Sequence, residues 1–315
     1  MDTKVEPIKK RGPGRPTTKK PPPPVARFGI QPNPSNTEYP DSIVLEYKET
    51  NPMSFKKMFE LVKKTKATSL FIYATDTRWG FYINIQDKSF ITININASKS
   101  IYYFNRNVNL FKRLNIEQFT VFAGLINNSQ DEIHFTLVHI ERSNNYLLDI
   151  KNIKKETESA NTSTITCLDD PLDEERIKAR KYIDASIAQE VTGILTFDQT
   201  GESIKSTLSV IKRPYNIIVE KMLASQLKIK YGDQLFDLGK DSTINLNTTQ
   251  DIISVSLNGK EILTFAEAVA DSKNEHKIKL AINKSPDPAS AYTIEMKYSI
   301  DFLNLYFIGN SITSM

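Results

Sequence analysis

Scarcity narrows the class of this 315-residue chain before any motif does. It has a single cysteine, Cys167, which excludes an internal disulfide and fits a reducing compartment. Glycine is scarce at 11 residues, and the apolar residues lean towards Ile, Phe and Tyr. That balance suits strands better than a glycine-rich nucleotide cradle. Three histidines leave little material for a metal site or a general base. No apolar run approaches the ~20 residues of a membrane helix, so no membrane span is expected. The charged, proline-rich start has no apolar segment behind it, and no secretory signal is expected.

What is present is unevenly placed. Residues 1–27 hold eight Lys or Arg against two carboxylates, a net of +6, which leaves −2 for the rest of the chain. Residues 1–40 are rich in proline and nearly free of apolar side chains, and they read as a disordered basic tail. Within it Gly14-Arg15-Pro16, with Arg11 close by, resembles an AT-hook. Proline keeps such a segment extended, glycine lets the backbone lie deep, and arginine enters the narrow minor groove of A·T tracts. Pro13 stands where an AT-hook has its first arginine. A nuclear import signal or a sequence-independent phosphate binder would share this composition.

From Ser42 the pattern becomes globular and repeats once. A first domain over 41–150 begins with a strand and a helix carrying Phe55, Met58, Phe59 and Val62 on one face, with Ser54 as its expected N-cap. Strands over 68–74, 79–85, 89–96 and 101–104 follow. The spacing predicts a short helix over 109–114 and strands over 117–125 and 132–140. The polar stretch 151–172 reads as an interdomain connector, with a helix from Asp173 through Tyr182 after it. A second domain over 173–315 repeats the plan, with a strand over 193–198 and an amphipathic helix over 201–213. Further strands, a hairpin around Asn258-Gly259 and a final helix over 300–307 complete it. The chain ends at NSITSM, where another strand is expected, so either the chain reads as truncated or this domain as C-terminally incomplete. The fold class is α+β, not a doubly wound sheet.

Catalytic chemistry finds little support. Gly201-Glu202-Ser203-Ile204-Lys205-Ser206-Thr207 lacks the second glycine of a phosphate loop. His134 and His139 are five apart on one strand, hence on opposite faces. Cys167 has no histidine near it in sequence, as an activated nucleophile would need. The acids Asp169, Asp170, Asp173, Glu174 and Glu175 suggest a metal-dependent nuclease, or simply the favoured charge at a helix start. The chain is read as a non-enzyme with no metal and no cofactor. Cations instead repeat on three expected helices: Lys56, Lys57, Lys63 and Lys64; Arg106, Lys112 and Arg113; Lys205, Lys212 and Arg213. In a near-neutral body this repetition predicts one basic surface for nucleic acid.

Two successive strand-and-helix units, a connector between them and cations on the helices resemble the DNA polymerase sliding clamp, the proliferating cell nuclear antigen family. Tyr298-Ser299-Ile300-Asp301-Phe302-Leu303-Asn304-Leu305-Tyr306 resembles the strand-to-helix segment of that family, and Asp173-Glu174-Glu175-Arg176-Ile177-Lys178 echoes the interdomain phrase of its clamp-like relatives in large DNA viruses. With the RGPGRP leader, the chain looks most like the clamp-like proteins of asfarviruses and giant DNA viruses. The resemblance implies a homotrimeric ring with sheets outside and helices lining a channel for double-stranded DNA. It also implies DNA polymerase and other replication proteins as partners, and a viral replication site in host cytoplasm or nucleus. The competing reading is an AT-hook transcription or architectural cofactor with a clamp-like body.

Overall fold

The computed structural model describes residues 42–310 except 51, 76, 86–88, 98–101, 107–108, 127–130, 158, 169, 188–192, 194, 212–215, 224–225, 238–243, 247–252, 271–276, 285–291 and 300–302. Its elements fall into two lobes of one plan. The first runs β1 (Ile43–Glu49), α1 (Pro52–Lys64), β2 (Ser69–Ala74), β3 (Arg78–Ile85), β4 (Ser89–Asn96), β5 (Tyr102–Asn105), β6 (Leu110–Leu114), α2 (Ile116–Val121), β7 (Glu132–Ile140), β8 (Asn145–Ile153) and β9 (Ala160–Thr166). Helix α3 (Asp173–Ile187) links it to the second. That lobe runs β10 (Leu195–Thr200), α4 (Gly201–Ser209), β11 (Asn216–Leu223), β12 (Gln226–Tyr231), β13 (Gln234–Asp237), β14 (Ile244–Leu246), β15 (Ile253–Asn258), α5 (Gly259–Val269), β16 (Lys277–Lys284), β17 (Tyr292–Ser299) and β18 (Leu303–Asn310).

The pairings repeat as well. The order β5-β1-β7-β8-β9 recurs as β14-β10-β16-β17-β18, and β4-β3-β2-β6 recurs as β13-β12-β11-β15. Strands β4 and β18 then pair antiparallel, from Leu303 opposite Ile95 to Gly309 opposite Ser89. This joint fuses half of each lobe into one nine-stranded sheet, while β9 and β13 end the other two sheets.

Alternation explains how the sheet meets its core. Ile91, Ile93 and Ile95 face inward with Phe81, Ile83, Leu303, Leu305 and Phe307, all buried. The helices cover this side. Phe55, Met58, Phe59 and Val62 of α1 are fully buried, as their spacing predicts. Phe59 meets Phe119 of α2 edge-on at 4.6 Å, and Trp79 lies 4.7 Å from Tyr47 and 4.9 Å from Phe135.

Several segments differ from expectation for identifiable reasons. Helix α1 opens at Pro52, whose missing N–H does no harm in a first turn, so Ser54 lies inside the helix and does not cap it. Residues 110–114 are strand β6, and 303–310 are strand β18. Both segments bury side chains on two faces, and such a short apolar run fits helix and strand equally. The segment likened to a strand-to-helix junction therefore includes the start of β18. Residues 116–125 are α2 and a 3-10 turn, with the Asn115 side chain accepting from the Gln118 N–H at 3.1 Å. Asn258-Gly259 is a helix start: the Asn258 side chain accepts from the Lys260 N–H at 3.2 Å, and Ile262, Phe265, Ala266 and Val269 line the buried face of α5. Residues 151–153 and 160–166 belong to β8 and β9 and not to a connector. With β18 in place, the second lobe shows every kind of element that the first has.

The outer face of the nine-stranded sheet is also covered. Helix α3 crosses it, and Ala179 and Ile183 pack with Phe71, Tyr73, Tyr82, Phe90 and Phe111 into a second apolar cluster. Tyr182 stacks on Phe90 with ring centroids 4.5 Å apart. Thr92 and Asn94, polar members of an alternating strand, are thereby fully buried.

Candidate nucleic-acid interface

Helices α1, α2, α4 and α5 all lie on the inner side of the sheets and touch in a row. α4 packs on α5, α5 on α1 across the lobe junction, and α1 on α2. Helix α1 presents Lys56, Lys57, Lys63 and Lys64 on the arc opposite its buried face, with Glu60 as the single acid among them. At 100° per residue those five positions share roughly a third of the circumference. Lys63 and Lys64 are exposed, and the others are partly so. Lys64 Nζ reaches Glu267 Oε2 of α5 at 3.0 Å, an ion pair that spans the two lobes.

The other helices contribute less. On α4, Lys205 pairs with Glu202 at 3.2 Å. On α5, Lys260 is offset by Glu261 and Glu267, and Glu261 accepts from the Ser89 hydroxyl at 2.6 Å. Sequence alone does not single out Lys260, because Asn258-Gly259 suggests a hairpin there. The positive charge of the row is thus concentrated on α1.

The remaining expected contacts are dispersed. Arg106 follows β5, an end strand of the five-stranded sheet and not a helix, with its guanidinium 5.8 Å from the Phe104 ring. Lys112 and Arg113 sit on β6 at the edge of the nine-stranded sheet, because that segment is a strand. Lys112 Nζ lies 2.5 Å from Asp170, and Arg113 Nη2 lies 2.7 and 2.5 Å from the two oxygens of Glu175. Of the acids that suggest a metal cluster, Asp170 and Glu175 answer these two cations and Asp173, Glu174 and Glu175 open α3, while Asp169 lies outside the described residues. Arg11, Gly14, Arg15, Pro16, Lys212 and Arg213 lie outside the described residues.

Among the described residues, no three His, Cys, Asp or Glu side chains are grouped to hold a metal. Burial lowers the His134 pKa against the lift from its Glu132 partner at 3.2 Å. His139 stacks on Tyr146 and meets Asn144 at 3.0 Å. Burial pushes the Cys167 thiol up to about 12, the opposite of an activated nucleophile. The phosphate-loop look-alike is the first turns of α4, whose Ser203 N–H is capped by the Thr200 hydroxyl at 3.2 Å.

No family model and no curated protein matches the sequence. Comparison of folds is more informative. The crystal structure of proliferating cellular nuclear antigen from Entamoeba histolytica is similar, with a TM-score of 0.63 at 10% identity. The match covers 86% of this chain and 100% of that one. The fold is an α+β DNA clamp.

Proposed function

We propose that this chain is the subunit of a sliding clamp that encircles duplex DNA and holds DNA polymerase and other replication proteins on it. The observation that carries this reading is the β4–β18 joint and its unused twin. Inside the chain, the last strand of one repeated sheet pairs with the last strand of the other. The equivalent strands β9 and β13 end their sheets and offer the same pairing to further copies. Copies joined in this way, three in a homotrimer, would extend the helix row around a closed channel. The lysines of α1 would meet phosphates without reading bases, which permits sliding.

The chain holds its partners without catalysis of its own. The basic residues of 1–27 supply a second DNA contact, raising the local concentration of duplex near the ring. Their combination with a divergent clamp body supports a viral origin and action at a viral replication site in host cytoplasm or nucleus.

The test is topological. After loading, the protein is expected to remain on closed circular DNA in high salt and to leave when the circle is cut, with a trimer seen by sedimentation. Equal salt-sensitive loss from both forms, abolished by deleting residues 1–27, would overturn the ring in favour of the hook-driven cofactor. Magnesium-dependent cutting that Asp170→Asn removes would make the protein a nuclease.

A further inference from the structure

We propose that Lys112 and Arg113 form a docking site for an acidic peptide segment of a partner protein, and that Asp170 and Glu175 are its resident occupant in cis. The inference stands apart from the ring reading. A cavity of about 600 Å³ opens at the edge strand β6, lined by both cations together with Asn144, Tyr146, Cys167 and Leu168. It remains open with the ion pairs in place, so a second segment has room to enter beside the first.

The chemistry at the two cations is that of a carboxylate receptor. Lys112 Nζ is held 4.2 Å from the Tyr146 ring centroid, and its side chain is only 15% exposed. The Arg113 guanidinium lies 5.3 Å from the Phe71 ring and grips both oxygens of Glu175. Each cation is therefore positioned by an aromatic face before any acid arrives. Adjacent strand residues point to opposite faces, and here they clasp the sheet edge from both sides.

The acidic side chains of the present occupant, 60% exposed for Asp170 and 33% for Glu175, are the part that can exchange. Leu168 and Leu172, beside the acids, are 46% and 71% exposed, while the Leu168 N–H donates to the Arg113 carbonyl at 2.9 Å and Pro171 is buried, so the segment keeps its backbone anchor when the acids exchange. The later half of α3 has its own anchors in Ala179, Ile183 and Ser186, so the acidic side chains can exchange while the helix stays on the sheet. Ion pairs at a partly exposed edge contribute little net stability, which makes the exchange one acid for another.

The probe is a fluorescent peptide copied from residues 168–178, LDDPLDEERIK. It is titrated against the full chain and against a variant carrying Asp170→Asn and Glu175→Gln. Removing the cis acids is expected to tighten peptide binding tenfold or more, and adding Lys112→Gln and Arg113→Gln should abolish it. Cys167 gives a second readout, since breaking the two ion pairs should speed alkylation of this single thiol several-fold in 0.5 M salt with the circular dichroism unchanged. Unchanged affinity after loss of the cis acids would overturn the proposal. So would binding that survives loss of both cations, an oligonucleotide that displaces the peptide, or a Cys167 rate indifferent to salt and variant.

Discussion

Asn94 shows how one side chain can fix an element it does not belong to. Its Oδ1 accepts from the Tyr73 hydroxyl, and its Nδ2 donates to Ser186 Oγ of α3, which in turn donates to the Ile183 carbonyl at 2.5 Å. The reach from β2 to β4 passes over Gly80 of the intervening strand. A Cβ there would sit 1.8 Å from the Ile93 carbonyl oxygen, so only glycine fits. Gly80→Ala is expected to destabilise by about 1–3 kcal/mol or more through overpacking. Asn94→Ala should cost about 1–3 kcal/mol by stranding buried hydroxyls. Both would be read as lower urea midpoints. Glu49 offers a pH-dependent case. Burial raises its carboxyl pKa, against the pull of the Thr50 N–H at 2.7 Å and the Tyr47 hydroxyl at 3.3 Å. The folded chain then keeps this proton to higher pH than the unfolded chain. Stability should fall as pH rises from the ordinary carboxylate range through the folded-state value. Glu49→Gln is expected to flatten that slope and raise stability at neutral pH, measured as melting temperature across pH 4–8.

At the scale of elements, α1 keeps its core face apart from the face proposed to meet DNA. Phe59→Ala should cost about 3–5 kcal/mol, since it removes the ring between Phe119 and Phe122. Changing Lys56, Lys57, Lys63 and Lys64 to glutamine should leave the melting temperature nearly unchanged. It should weaken duplex binding and lower the salt slope by about 0.9 for each phosphate that is no longer neutralised. This helix was legible in the sequence because thirteen residues of strong periodicity outweigh its ambiguous start. Segments 110–114 and 303–310 were not, since each buries both faces: Phe111 and Ile308 pack with α3 on the outer side. A partner sixty or more residues away leaves no local periodicity. The same ambiguity moves Lys112 and Arg113 from an expected helix to a sheet edge and conceals their partners, Asp170 in the expected connector and Glu175 in α3. Asn258 misleads because Asn-Gly serves a hairpin and a helix start alike. The heptad-like run Ile262, Phe265, Ala266, Val269 behind it was the signal that could have decided.

At the scale of the whole molecule, the repeat allows the positions of one lobe to be numbered onto the other. Asn115 and Asn258 cap equivalent helices, so Leu114 corresponds to Leu257. Their strand partners, Leu70 and Ile217, correspond in turn. Carrying the registers outward, Phe81 opposite Ile93 matches Ile229 opposite Phe236, and Thr92 therefore matches Leu235. Thr92 lies fully buried in the joint between lobes, facing Tyr306 of β18. Leu235 holds the same place on β13 and is 47% exposed in the single chain. An apolar residue at a sheet edge invites pairing, and in the proposed ring the repeat makes β9 of another copy its partner. Leu235→Arg should leave the circular dichroism and melting of the isolated chain almost unchanged, because the position contacts solvent there. It should shift sedimentation from trimer to monomer and abolish retention on closed circular DNA. A variant that still assembles would place the contact between copies elsewhere. A chain that loses its fold would show instead that β13 is already part of the core of its own lobe.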